Sequence, residues 1–285
     1  MTLPYFLGCP SWNDPAWVGP FYPPKTTARE ALGQYVQVFN TVEGNTTFYA
    51  WPSAETVARW AQHMPEHFRF CAKFPREISH AERLSSTLAL AEQFIALMAP
   101  LGARLQPFWL QLPARFSPQD LPQLQHWLER IGVPVAVEVR NLAFFQKGDD
   151  ERALNRLLHG LGVERICLDS RALFSVPAST PALIDAQRKK PRVPIRPAAF
   201  SPHPQVRFIG RPDLAGNDAF MQPWLDKVAQ WIESGLQPHV YLHTPDNHNA
   251  PQLAMRFHQQ LQTRLPGLPD LPRLAQPQAD LLGGL

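Results

Sequence analysis

The stretch F-N-T-V-E-G-N-T-T-F-Y, residues Phe39–Tyr49, indicates how the chain folds. Its first half is β-branched and aromatic, which is typical of a buried strand. The strand ends on a carboxylate, Glu43, and Gly44 and Asn45 then interrupt it. A charged group at the end of an apolar strand is costly to bury unless a partner neutralises it. We therefore predict that Glu43 lies at the functional edge of a sheet.

Similar strands alternate with amphipathic helices along the rest of the chain. The predicted strands are Tyr5–Cys9, Phe39–Glu43, Phe68–Lys73, Phe108–Leu112, Val135–Arg140, Arg165–Asp169, Val206–Gly210 and Val240–His243. Alternating strands and helices imply a parallel sheet, and eight such units imply a single closed (β/α)8 barrel of the TIM type. A doubly wound open sheet is the alternative, but no glycine-rich phosphate loop follows the first strand.

Two proline-rich segments interrupt the alternation. The first, Ser170–Gln205, connects strands six and seven; we predict a short helix within Pro181–Lys189 and irregular chain after it. The second follows Leu265 and is rich in proline and leucine, which excludes a regular helix. The predicted organisation is a barrel over residues 1–265 and a tail over residues 266–285.

The composition of the 285-residue chain is that of a globular protein. Its hydrophobic content of 45% excludes wholesale disorder, and a net charge of +3 is below that of a dedicated nucleic-acid binder. Three cysteines, an odd number, argue against a disulfide framework. We find no basic leader and no run near the roughly 18 apolar residues of a membrane span. We therefore predict a soluble cytoplasmic protein and leave its oligomeric state open.

Six segments form a recognisable set in this order along the chain. They are Gly8–Pro23, Phe39–Tyr49, Phe70–His80, Gln111–Pro113, Ala136–Arg140 and Val206–Asp213. Together they resemble the YecE-like family, known as domain of unknown function 72, and the resemblance covers nearly the whole chain. It implies a TIM-type barrel. It implies no reaction, because the family has no settled activity.

In a TIM-type barrel the site lies at the carboxyl ends of the strands, and side chains two residues apart on a strand share a face. Those ends carry acids and bases, with His80 just beyond the third strand. The predicted catalytic residues are Glu43, Lys73, Glu138 and Asp169. The predicted substrate-binding residues are Trp12, Asn45, Tyr49, His80, Gln111, Arg140, Arg207 and His243. The alternative is a buried layer of salt bridges that closes the barrel, although desolvation makes such layers weak stabilisers.

The balance of charge at these ends predicts the chemistry. Three acids and three bases leave the site near neutral, which disfavours a resident divalent cation; we expect no cofactor, with a metal as the lesser alternative. Arg140 and Arg207 would hold a carboxylate or phosphate, Glu43 and Glu138 would serve as general acid and base, and Lys73 would hold charge or act as a nucleophile. Such a site suits a lyase, isomerase or hydrolase that acts on an anionic, sugar- or nucleotide-like molecule.

A second class of function stays open. Q-A-D-L-L, Gln278–Leu282, is similar to the short peptide by which bacterial DNA-metabolism proteins bind the sliding clamp. The basic run Arg188–Arg196 is either a solvated loop or a nucleic-acid patch. The chain could thus be an accessory protein of nucleic-acid metabolism or a metal-assisted phosphodiesterase, tethered by its tail. The aromatic side chains of the first two loops, Trp12 and Tyr49 among them, either seal the barrel or form a platform for a ligand.

Overall fold

The computed structural model describes residues 3–274, in which strands and helices alternate. The strands are β1 Phe6–Cys9, β2 Thr41–Gly44, β3 Arg69–Ala72, β4 Phe108–Gln111, β5 Val135–Glu138, β6 Glu164–Arg165, β7 Cys167–Asp169, β8 Gln205–Ile209 and β9 His239–His243. The helices are α1 Ala28–Val38, α2 Thr46–Tyr49, α3 Ala54–His63, α4 Arg76–Ser79, α5 Leu88–Met98, α6 Leu121–Arg130, α7 Asp149–Gly160, α8 Pro181–Lys189, α9 Asp218–Glu233 and α10 Ala250–Leu261.

Local sequence signals account for several of these bounds. Ser53 precedes α3, and its side chain accepts a hydrogen bond from the amide of Thr56, as expected of a helix cap. Thr180 caps α8, which begins with Pro181, a residue suited to the first helical position. The predicted helix Pro181–Lys189 is confirmed. The short helices α2 and α4, which follow β2 and β3, were not predicted.

The strands form two parallel sheets. The larger has the order β3-β2-β1-β9-β8-β7, and the smaller has the order β4-β5-β6. Every pairing between neighbouring strands is parallel, as the alternation of strands and helices predicts. The prediction of one continuously hydrogen-bonded, closed barrel is met only in part, since the ladder is interrupted in two places.

The two interruptions differ in kind. The predicted sixth strand divides at Ile166 because its first half, β6, pairs with β5, whereas its second half, β7, pairs with β8. Between β3 and β4 only two isolated parallel bridges occur, Phe70–Leu105 and Lys73–Trp109. The two sheets are therefore adjacent at both junctions without sharing a continuous ladder.

The buried apolar side chains of the described residues form three clusters. The largest lies between the sheets and the helices and contains most of the buried aromatic side chains. The second consists of Leu168, Leu173, Leu183, Ala186, Val193 and Ile209. The smallest is formed by five side chains that come from both sheets and contact one another: Cys71, Trp109, Ala136, Ile166 and Tyr241. The Cys71 Sγ lies 2.5 Å from the Tyr241 hydroxyl. The inner faces of the two sheets thus enclose a core of their own.

One helical stretch is long and apolar, and the tail is described only as far as residue 274. Within residues 3–274 the helical stretch Leu84–Arg104 meets a length and composition criterion for a membrane span, which the sequence reasoning did not predict. This is weak evidence, because a helix packed on a core meets the same criterion; Phe94 and Met98 are fully buried here. Of the tail, Leu268 packs into the core. The peptide Gln278–Leu282 lies outside the described residues. The cytoplasmic location stays a prediction.

Candidate functional site

Glu43, the carboxylate of β2, is the centre of a buried group of charges. Its Oε1 lies 2.8 Å from both Lys73 Nζ and Arg207 Nη2. Its Oε2 accepts hydrogen bonds from Arg207 Nε at 3.0 Å and from His243 Nε2 at 2.7 Å. All four side chains are buried, and they come from β2, β8, β9 and the residue after β3. The predicted convergence of these strand ends is confirmed for them.

Glu138, at the end of β5, joins the same group through Arg207. Its Oε2 lies 3.3 Å from Arg207 Nη1. Its Oε1 accepts a hydrogen bond from Arg140 Nε at 2.7 Å and lies 2.7 Å from Arg140 Nη2. Arg207 therefore directs all three of its guanidinium nitrogens to carboxylates. These contacts use three of its five N–H groups, one on each nitrogen, and Arg207 also lines the cleft described below, so its predicted role in ligand binding stays a prediction.

Lys73 lies between the carboxylates and the small inner core. Its Nζ donates to Gln111 Oε1 at 3.3 Å and lies 4.7 Å from the centre of the Trp109 ring. Arg207 lies over the same ring at 5.6 Å. Trp109 was not predicted as a site residue, although its spacing of two from Gln111 on β4 places both on one face.

The ionisation of the group follows from burial and its charges. Burial raises the pKa of Glu43, but Arg207, Lys73 and His243 outweigh it and hold that pKa well below its ordinary value. Burial likewise opposes ionisation of Glu138, while Arg140 and Arg207 lower its pKa to about 2. Both carboxylates are thus anionic near neutral pH. This arrangement does not support the predicted division of the pair into a general acid and a general base.

Two other members can change protonation or accept a proton. Burial and Arg207 lower the pKa of Lys73 to about 8, although Glu43 opposes them. Burial lowers the pKa of His243 to about 3 against the opposing effect of Glu43, so its imidazole is neutral. A neutral His243 that donates from Nε2 to an ionised carboxylate keeps its Nδ1 as an acceptor. Among the described residues this buried Nδ1 has no hydrogen-bond partner.

A cleft of about 770 Å³ opens above the group and contains several predicted binding residues. Asn45 lines it and is fixed by a hydrogen bond from Nδ2 to the carbonyl of Pro10 at 2.9 Å. Tyr49 lines it with its side chain exposed. His80 is partly buried; burial and then Arg140, Arg76 and Arg115 lower its pKa to about 4. The basic side chains along the cleft are Lys73, Arg76, Arg140, Lys189, Lys190 and Arg207, against one acid, Asp14.

Lys190 is a second residue of the site, besides Trp109, that was not predicted from the sequence. It belongs to the basic run Arg188–Arg196, and it follows α8 directly. Burial, together with Arg207, lowers its pKa well below the ordinary value, and Glu43 opposes that shift. No ion pair or side-chain hydrogen bond of Lys190 occurs within the described part of the chain. The basic run was the one signal in the sequence that included this position, but an irregular connection gives no pattern that shows where its side chains lie.

The rest of the basic run does not form one patch. Asp185 pairs with Arg188 at 2.8 Å and with Lys189 at 2.6 Å. Arg196 pairs with Glu151 of α7. Three of the five basic side chains of the run are thus paired with acids of α7 and α8, which favours the interpretation as a surface loop over that as a nucleic-acid patch.

Two predicted site residues lie elsewhere. Asp169 is buried on the opposite face of β7, where it accepts hydrogen bonds from Trp224 Nε1 at 2.7 Å and from the Arg171 side chain. Asp169 pairs in register with Phe208, whereas the inward-facing Arg207 pairs with Leu168, so Asp169 points towards the helices. Trp12 packs edge-on against Trp60 and lines a separate cavity. Neither residue joins the charged group.

The donor set bears on the metal alternative. Within residues 3–274 no cluster of three or more His, Cys, Asp or Glu side chains could hold a metal ion. The carboxylates of the group are already bound by cations that a metal would have to displace. The expectation that no cofactor resides here stays a prediction.

Comparison with known proteins places this fold and site in a family. Residues 6–278 match the family model described as protein of unknown function DUF72. The chain is also 41% identical over 273 residues to the UPF0759 protein YecE of Escherichia coli strain K12, covering 95% of this chain and 97% of that protein. This chain belongs to the DUF72 family. The resemblance stated from the sequence motifs is therefore confirmed.

Solved DUF72 structures share the fold. A DUF72 protein from Enterococcus faecalis V583 aligns with a TM-score of 0.65 at 21% identity, over 97% of this chain and all of that one. A DUF72 protein from Thermotoga maritima MSB8 aligns with a TM-score of 0.66 at 17% identity, over 90% of this chain and 99% of that one. At these identities the likeness extends to the fold alone. The DUF72 family description assigns no reaction, so the function of this member must be argued from its site.

Proposed function

We propose that this DUF72 protein binds an anionic small molecule in the cleft above Glu43, without a metal ion. The observation that carries the proposal is the surplus of positive charge along the cleft. Glu43 and Glu138 pair with Lys73, Arg207 and Arg140 beneath it, and two carboxylates against three cations leave one positive charge in excess. Arg76 and Lys190 have no acidic partner among the described residues. An incoming anion would supply one.

Lys190 is the main contact in this proposal. Burial and the neighbouring cations disfavour the charged form of Lys190, and an anion that approaches from the cleft would stabilise that form. The remaining guanidinium nitrogen of Arg140, Nη1, makes no hydrogen bond within the described chain, so it can donate to the same anion. This assigns anion binding to Lys190 and Arg140.

We also propose that the two sheets are arcs of one TIM-type barrel. Two features support this: the bridge between Lys73 and Trp109 joins β3 to β4, and Ile166 alone separates β6 from β7. The cleft would then lie at the carboxyl ends of the strands, which is where barrel enzymes bind their substrates.

If the site is catalytic, proton transfer belongs to Lys73 and His243. Lys73 lines the cleft with a pKa of about 8, so it exists in both protonation states near neutral pH. His243 also lines the cleft, and its Nδ1 has no hydrogen-bond partner within residues 3–274. Acid and base groups of this kind suit a lyase, an isomerase or a hydrolase that uses no cofactor.

Calorimetric titration of the full chain with inorganic phosphate and, separately, with oxalate at constant ionic strength tests the binding proposal. We expect saturable one-to-one binding of at least one of them. Lys190→Ala should weaken it about tenfold or more, which is the loss of one charge-assisted hydrogen bond. The control Lys227→Ala, on α9, should bind as the wild type does. Absence of saturable binding of both anions, or equal affinity in Lys190→Ala, would contradict the proposal.

A further inference from the structure

A second cavity of about 480 Å³ opens beside the cleft above Glu43. Four residues line both cavities: Phe48, Tyr49, Arg76 and His80. The second cavity, which we name the side pocket, adds Trp51 and Arg115 to these four. The two cavities are therefore adjacent along these four residues.

The shared wall is aromatic and unusually open to solvent. Tyr49 is 79% exposed, the largest exposure of any large apolar or aromatic side chain among the described residues. Phe48 meets it edge-on with ring centres 5.1 Å apart, and His80 meets Phe48 edge-on at 5.2 Å. Phe48 and His80 thus support Tyr49 from behind, while most of the Tyr49 ring remains available for contact.

The polar groups of the side pocket favour a flat, electron-rich partner. Arg76 and Arg115 supply two guanidinium groups, which stack on aromatic rings as well as bind anions. Arg115 is oriented by hydrogen bonds to the carbonyls of His80 and Ala81. The one acid there, Glu77, accepts a hydrogen bond from Trp51 Nε1 and is thereby engaged. His80 has a pKa of about 4 and is neutral near pH 7, so it places no further charge beside the ring.

We propose that the side pocket holds a planar ring of the same ligand whose anionic group binds in the cleft. The substrate class is then an aromatic or heteroaromatic anion, in which a ring is joined to a phosphate or carboxylate. The ring stacks on Tyr49, and the anionic group reaches Lys190. This inference rests on the proposed function, because it assigns the remaining part of a ligand whose charged part that function describes.

Titration with phenyl phosphate and with inorganic phosphate as paired probes tests this inference. The wild-type chain should bind phenyl phosphate about tenfold more tightly than inorganic phosphate, since one aromatic stacking contact contributes about that factor. Tyr49→Ala should remove the difference by weakening the binding of phenyl phosphate. Tyr49→Phe keeps an aromatic ring and should therefore keep the difference in affinity between the two probes. Because Tyr49 is exposed, these variants should fold as the wild type does.

The matched control is Leu161→Ala, an exposed apolar side chain in the turn between α7 and β6, at the opposite ends of the strands. It should retain both affinities. If the chain binds inorganic phosphate through Lys190 but phenyl phosphate no better, or if Tyr49→Ala changes nothing, the inference about the ring is wrong while the proposed function stands. If neither probe binds and oxalate does not bind either, both are wrong.

Discussion

Glu43 receives donors from three other side chains, and this explains why a carboxylate can be fully buried at the end of β2. Lys73 and Arg207 each lie 2.8 Å from its Oε1, and Arg207 and His243 donate hydrogen bonds to its Oε2. Isolated burial of any one of these charges would be very unfavourable, so the group is stable only as a set. Glu43 therefore acts first as the residue that holds the cations in place beneath the cleft.

Replacing Glu43 by glutamine should be strongly destabilising. The amide keeps the shape of the side chain but leaves Lys73 and Arg207 buried with one negative charge fewer, and such a loss costs about 3–5 kcal/mol. Urea denaturation followed by circular dichroism measures it. Asp149→Asn removes a carboxylate from an exposed pair with Arg152 and should leave stability nearly unchanged. Equal stability of the two variants would contradict the assignment.

His243 should make the free energy of unfolding depend on pH. Its pKa is lowered by burial to about 3 in the folded chain, whereas an unfolded histidine has a pKa of about 6.5. Between these values the unfolded chain binds the proton and the folded chain does not, so stability falls as pH falls through this window. One such proton contributes about 1.4 kcal/mol per pH unit.

The measurement is the free energy of unfolding at pH 7 and at pH 5. The wild type should lose more stability between them than His243→Gln, because the variant lacks this proton. His126→Gln, which changes an exposed histidine of α6, should lose as much as the wild type. Parallel losses in all three chains would show that His243 is not held neutral.

At the scale of elements, Asp169 joins β7 to α9. Its side chain accepts hydrogen bonds from Trp224 of α9 and from the backbone and side chain of Arg171. It is thus a carboxylate that holds a helix against a strand, on the face opposite the cleft. The strand carries apolar residues on both faces, so its sequence gives no alternation that reveals which way Asp169 points.

Asp169→Asn should therefore lower stability without changing anion binding. We expect a loss of about 1–3 kcal/mol, because the amide can no longer accept from every donor around it. Phosphate affinity, measured by the same titration as for Lys190, should equal that of the wild type. Asp226→Asn, which removes an exposed pair with Arg264 from α9, is the control and should be near neutral. A selective loss of phosphate affinity in Asp169→Asn would instead return this residue to the site.

At the scale of the whole molecule, side chains from distant parts of the chain form one cleft. Lys190 comes from the irregular connection before β8, whereas Tyr49 comes from the first third of the sequence. A ligand that contacts both, and binds only when the chain is folded, must stabilise the whole fold.

Phosphate should accordingly raise the melting temperature. At a concentration of 100 times its dissociation constant, the ligand adds about 2.7 kcal/mol of stability; a tenfold weaker Lys190→Ala variant should gain only about 1.4 kcal/mol at that concentration. Thermal melts with and without phosphate check this, with sodium chloride at equal ionic strength as the control for screening. Equal shifts in phosphate and chloride would contradict specific binding.

The sequence by itself determined the features that depend on near neighbours along the chain. Alternating apolar periods placed the strands and most helices, and capping residues placed the starts of α3 and α8. Strand ends identified Glu43, Lys73, Glu138, Arg207 and His243 as a converging set. These inferences succeed because the carboxyl ends of parallel strands lie at the same edge of a sheet, whatever segments connect the strands.

Only the tertiary structure decided which atoms meet. It turned Asp169 to the outer face, since a shift of one residue in a strand reverses the direction of a side chain. It paired Arg207 with two carboxylates, Glu43 and Glu138. It also brought Lys190 to the cleft from a connection that has no periodic pattern. Charge balance at a site depends on contacts between distant residues, and for that reason the sequence could name the charges but not their partners.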